Sequence, residues 1–76
     1  MSMLKIDELQ QEFEKQLTNG TTCTVGMDGD VYVVEFNRYL HWFTYRVPQI
    51  VTYHLETEKL VYYILHMTKE VPDWVK

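Results

Sequence analysis

Cys23, His41, His54 and His66 are the side chains in this sequence best suited to ligate a metal or to serve as nucleophile and base near neutral pH. A metal site of the common kinds needs such ligands at short spacing, two Cys two apart or two His four apart on a helix. The nearest two here, His54 and His66, stand 12 residues apart and fall on different faces of any helix that holds both. These histidines are expected at the surface or partly buried, with no metal and no cofactor. Nucleophilic catalysis would need an activated thiol with a base beside it. Cys23 lies at a core-facing strand position, where a free cysteine behaves as a small hydrophobe and lacks the electropositive, accessible surroundings of a reactive thiolate. His41 is the one base that adjacent strands could bring near it. The carboxylate pairs Glu56/Glu58 and Asp28/Asp30 read as exposed helix and turn residues. Gly20, Gly26 and Gly29 serve a cap, a strand and a turn, so no phosphate-cradling loop is present. The expectation is a protein that is not an enzyme.

The elements that place these residues begin with Ile6, Leu9, Phe13 and Leu17, spaced by three and four, opposite Glu8, Gln11, Glu12 and Lys15. This spacing predicts an amphipathic helix over residues 5–18. Asp7 and Gln10 have the spacing of a capping box, and Asn19-Gly20 supplies a left-handed residue to end the helix. Asp28-Gly29 between the runs Thr21–Met27 and Asp30–Phe36 predicts a two-residue type I′ hairpin. That turn would pair Met27 with Asp30, Val25 with Tyr32 and Cys23 with Val34. Cys23, Val25, Met27, Tyr32, Val34 and Phe36 then share one face, and Thr22, Thr24, Gly26, Val31, Val33 and Glu35 the other.

Asn37-Arg38 reads as a second turn, leading into a strand over Leu40–Val47. With a loop of two or four residues, His41, Phe43 and Tyr45 join the core face while Leu40, Trp42, Thr44 and Arg46 join the outer one. A three-residue loop reverses this. Residues 48–70 fit two states. As a helix, Pro48 takes the first position and Ile50, Tyr53/His54, Thr57, Leu60/Val61, Ile64 and Met67 form one stripe. As a hairpin, Glu56-Thr57-Glu58-Lys59 turns and pairs Leu55 with Leu60, Tyr53 with Tyr62 and Val51 with Ile64. Such a turn without Gly or Asn is weak chemistry, which favours the helix. The fold expected is α+β, a three-stranded antiparallel meander with an N-terminal and a C-terminal helix on one face (α-β-β-β-α). The alternative is an N-terminal helix plus a five-stranded antiparallel sheet. The tail, with Trp74, is expected to pack back.

All this fits within one domain of 76 residues, 46% hydrophobic and 24% charged, which excludes a disordered or low-complexity chain. A chain this short buries only about 60% of its unfolded surface, and one cysteine cannot form an internal disulfide. Its aromatic content or self-association must supplement the core. The longest apolar run, Leu60–Leu65, is six residues against the roughly 20 needed to span a bilayer. An acidic N-terminus and a lone thiol point to a cytoplasmic protein with no membrane partner. The net charge of −4 is wrong for a phosphate-backbone binder. It is also uneven: residues 1–37 hold seven carboxylates against two lysines, net −5, and residues 38–76 are net +1.

If the helices cover one sheet face, the other is left open. Val31, Val33, Leu40 and Trp42 would make an exposed apolar strip there, with Glu35 and Arg46 among its polar rim; such a patch marks an association site. The third strand is also an edge, free to pair with its symmetry mate. The expected function is a protein-interaction or regulatory module, a homodimer that binds a further protein partner through this face. Trp42, Val31 and Val33 would bury there, while Arg46 and Glu35 set register. Two alternatives involve nucleic acid. In one, Glu8, Glu12, Asp28 and Asp30 mimic a nucleic acid and block a DNA-binding protein. In the other, Tyr32, Phe36, Tyr39, Trp42, Phe43 and Tyr45 weakly stack single-stranded bases. Core packing is the expected role of most of these rings.

Overall fold

A computed structural model describes residues 5–18 and 20–76. Helix α1 spans Lys5–Gln16, and strands β1 (Thr22–Asp28), β2 (Val31–Arg38) and β3 (His41–Pro48) form an antiparallel sheet in the order β1-β2-β3. A 3-10 segment, Gln49–Tyr53, leads to helix α2, Thr57–Tyr62, which continues as a π-helical turn over Tyr63–Met67. A short 3-10 turn at Asp73–Val75 closes the chain. The fold is α+β with a three-stranded antiparallel sheet and two helices, and no further strands extend the sheet among the described residues.

Helix α1 buries Leu9 and Phe13, with Ile6 and Leu17 packed against the same core, as their spacing requires. Phe13 meets Phe36 of β2 edge to face, with ring centroids 5.4 Å apart. The helix runs toward Gly20, whose φ of +79° is the left-handed geometry expected after a helix end. Asn19 lies outside the described residues. The capping box does not form. Asp7 sits inside the first turn, and the Gln10 carboxamide goes to the backbone of β1 instead.

The hairpin of β1 and β2 keeps its faces but shifts its register. Asp28 pairs with Val31, Met27 with Tyr32, Val25 with Val34 and Cys23 with Phe36. The two loop residues are therefore Gly29 and Asp30, not Asp28 and Gly29. A type I′ turn would demand positive φ at Asp28 as well; here Gly29 alone takes it, at +66°, as a type II′ turn requires. The shift also replaces a Met27–Asp30 pair on the core face with Met27–Tyr32. The second turn falls two residues later than Asn37-Arg38, at Tyr39-Leu40, with Arg38 paired to His41. Turning at Asn37-Arg38 would set His41 opposite Val34 in the core and leave Val47 past the end of β2. The observed register sets Val47 opposite Tyr32, buried, and moves His41 to the sheet's end. Phe43 and Tyr45 join the core face; Leu40 leaves the strand for the loop.

Residues 49–67 are helical but not one helix. The Thr52 hydroxyl donates to the Gln49 carbonyl oxygen at 2.7 Å, a local bond that competes with helix propagation in a run of β-branched and aromatic residues. The Glu56–Lys59 block is the start of α2, with the Leu60 amide bonded to the Glu56 carbonyl at 2.9 Å, rather than a hairpin turn. Leu60, Val61, Ile64 and Leu65 are buried, whereas Ile50, Tyr53 and Met67 of the expected stripe are exposed. The break at 54–56 and the wider winding after Tyr62 rotate them out. The Thr68 amide reaches the Tyr63 carbonyl at 3.0 Å, a five-residue step. The tail packs back, burying Val71 and Val75. Its Trp74 carbonyl accepts hydrogen bonds from Arg38 Nη1 (3.2 Å) and the Thr21 hydroxyl (3.4 Å), and the His41 ring lies 5.7 Å from the indole.

Candidate functional site

The register places the outer face in four cross-strand rows: Thr22–Asn37–Trp42, Thr24–Glu35–Thr44, Gly26–Val33–Arg46 and Asp28–Val31–Pro48. All twelve residues are exposed or half-buried, and none belongs to the core. Of the residues expected there, Val31, Val33, Glu35, Trp42 and Arg46 do share this face; Leu40 stands at the hairpin tip beside it. The strip is not continuous. The Glu35–Thr44 row separates the valines from Trp42, and the Arg46 guanidinium crosses β2 to pair with Asp28. An exposed pair of this kind stabilises by at most about 1 kcal/mol, but it lays the arginine stem across the sheet beside Val33.

The hairpin tip is the most exposed apolar feature. Tyr39 is 92% exposed, Leu40 88% and Trp42 66%. Tyr39 also holds φ at 56°, the left-handed region that bulky residues rarely adopt. Strain of this type costs on the order of 1–3 kcal/mol and tends to collect at functional positions.

A second feature is one that the spacing of residues does not predict. A groove of about 320 Å³ runs beside β3, walled by Tyr45 and Val47 on one side and by Val51, Leu55 and Tyr63 on the other. It depends on the helix break at 54–56, which swings Leu55 toward β3. The only signal for that break was the polar block after Leu55. Burial raises the Tyr45 hydroxyl's pKa, helped by Glu70, against the lowering effect of a Thr68 hydrogen bond.

The groups with chemical potential are kept apart. His41 lies opposite Arg38, across β2 from Cys23, and its ring faces Trp74. Cys23 is buried, and that burial, with the Glu14 carboxylate adding to it, pushes its thiol up to about 12. His66 stacks on Tyr62, centroids 4.6 Å apart. Among the described residues no three His, Cys, Asp or Glu side chains are placed to hold a metal ion, and no helix is long and apolar enough to cross a membrane.

The state of Cys23 has a measurable consequence. Unfolding frees a thiol of ordinary pKa, so between about pH 8.5 and 12 the unfolded chain sheds a proton that the folded chain keeps. Stability is then expected to fall as pH rises through this window, and Cys23→Ala should flatten that slope. The slope is read from urea midpoints at pH 8 and pH 10. The native thiol should also react with a disulfide reagent far more slowly than the urea-unfolded one.

Family models, curated proteins and solved structures give no match to this chain.

Proposed function

We propose that this chain is a protein-interaction module that self-associates and docks a further protein through its outer sheet face and the β2–β3 hairpin tip. One observation carries this reading: the chain holds Tyr39 in a strained conformation while Tyr39 and Leu40 stand almost wholly in water and Trp42 is largely exposed. A hairpin selected for stability alone would place Gly or Asn at that position and polar residues around it. Exposed aromatic and aliphatic anchors beside a polar rim are the usual composition of a protein-binding patch. Two of the four acidic residues of a nucleic-acid mimic are drawn into local pairs, Glu8 with Lys5 and Asp28 with Arg46.

The reading separates stability from binding, and Tyr39→Gly tests the separation. Relief of the left-handed strain, less the entropy cost of glycine, should leave stability equal or higher by about 1 kcal/mol in urea titration. Immobilised wild type should retain a protein that Tyr39→Gly and Leu40→Asp lose, with both variants folded by circular dichroism. Equal retention by wild type and Leu40→Asp would overturn the tip as the contact.

A further inference from the structure

The two edges of the sheet are treated differently. In a two-residue hairpin the pair flanking the loop is hydrogen-bonded, and bonded pairs alternate from there. Counting from Asp28–Val31, the backbone groups of Cys23 and Val25 point away from β2. One group of each is captured: the Gln10 side chain donates to the Cys23 carbonyl and accepts from the Val25 amide at 2.8 Å. Helix α1 thus covers the middle of the β1 edge with one carboxamide.

Counting from Arg38–His41, the groups of Trp42, Thr44 and Arg46 point away from β2 at the β3 edge. Among the described residues no hydrogen bond reaches any of these six groups. The edge has few of the usual guards, and its one charge, Arg46, is turned inward to Asp28. It carries no lysine, its pairing with β2 runs unbroken without a bulge, and its one proline stands at the end, Pro48.

We infer that the β3 edge pairs antiparallel with the β3 edge of a second copy, about a two-fold axis at Thr44, joining two sheets into one of six strands. This rests on the reading of the chain as an interaction module and names its first partner. The register follows from the sequence of the strand. Centring on Thr44 uses all three outward residues, matching Trp42 to the partner's Arg46, Thr44 to the partner's Thr44, and Arg46 to the partner's Trp42. Each of the three pairs exchanges two backbone bonds. Moving the axis to Tyr45 sets Trp42 against the partner's Pro48, which has no amide to give. Moving it to Phe43 sends Arg46 onto the loop residue Leu40.

The side chains agree with this choice on both faces. On the outer face Trp42 lies against the aliphatic stem of the partner's Arg46, whose guanidinium is held by Asp28, and Thr44 against its own copy. On the core face Phe43 meets the partner's Tyr45 at a closely spaced, non-bonded position. Tyr63, 49% exposed beside Tyr45, extends the contact toward the helices. No like charges stand opposite each other.

Sedimentation of the wild type is expected to show a dimer. Thr44→Lys puts two ammonium groups opposite each other on an exposed face; it should weaken association by roughly a hundredfold or more with an unchanged circular dichroism spectrum. Thr44→Cys should give covalent dimers with a short bifunctional maleimide, while Thr24→Cys, on the same face at the guarded edge, should not. Wild type with its buried Cys23 is the background. A wild type that stays monomeric at high micromolar concentration, a Thr44→Lys dimer as tight as wild type, or equal cross-linking at positions 24 and 44 would overturn the pairing. A monomeric wild type whose captured protein is lost in Thr44→Lys would put a foreign strand on this edge, also overturning it. The tip is judged separately, since Leu40→Asp should leave the dimer intact.

Discussion

Phe13→Ala is expected to remove a large share of this chain's folding stability at 25 °C. The ring is fully buried between α1 and β2 and meets Phe36 edge to face. Removing such a ring from a core costs about 3–5 kcal/mol, in lost transfer energy and in the cavity left behind. A 76-residue domain holds roughly 4–11 kcal/mol in total, so one substitution consumes about a quarter of it at the least. Few residues stand ready to fill the gap, because the sheet has one covered face and α1 crosses it mainly through Leu9 and Phe13. Phe13→Leu keeps most of the volume and should stay folded with a lowered urea midpoint. Far-ultraviolet circular dichroism against urea reads both. A Phe13→Ala midpoint within about 1 kcal/mol of wild type would mean that the α1–sheet contact is not the centre of the core. If copies pair along β3, both midpoints should also rise with protein concentration, because the dimer binds only the folded chain.

Much of the fold was legible because strand faces depend on parity alone. The expected and observed registers of β1 and β2 differ by two residues in their pairing sums, which moves every partner but flips no side chain. The second hairpin behaved the same way. Its turn moved from Asn37-Arg38 to Tyr39-Leu40, and Phe43 and Tyr45 still reached the core face. What local turn chemistry could not reveal is that burying Val47 opposite Tyr32 outweighs an unfavourable φ at Tyr39. Most of the outer-face residues followed from the same parity, but their continuity did not, since the Glu35–Thr44 row that divides them depends on exact register. The β3 groove was not legible at all. It needs Leu55 and Tyr63 on separate elements, and the break between them is made by a Thr52–Gln49 bond and the local crowding of branched side chains, not by Gly or Pro. The sequence places Gln10 within its own helix, because a helix-capping role shows in spacing and a contact to a distant strand does not.

Gln10→Leu should then have an effect larger than its half-exposed position suggests. The substitution leaves the Val25 amide and the Cys23 carbonyl without their partner beside a buried strand, at a cost of about 1–3 kcal/mol. Amide exchange at Val25 should accelerate beyond the change in global stability, which a loss of helix packing alone would not produce. Gln10→Glu separates the two bonds. Its carboxylate can still accept from Val25 but faces the Cys23 carbonyl oxygen, so its ionised form is disfavoured and its folded pKa lies above the free value. Stability lost at pH 7 should therefore return as pH falls through that raised folded pKa, and be fully recovered by about pH 4, where the protonated group donates again. Gln10→Leu should show no such recovery; equal pH profiles for the two variants would sink the role given to the carboxamide. Gln10→Leu also tests why one edge is closed. With β3 paired in a closed two-fold dimer, a guarded β1 stops the sheet at six strands. An opened β1 offers a second edge to every dimer, so growth no longer closes, and Gln10→Leu should form larger species at concentrations where wild type remains a dimer.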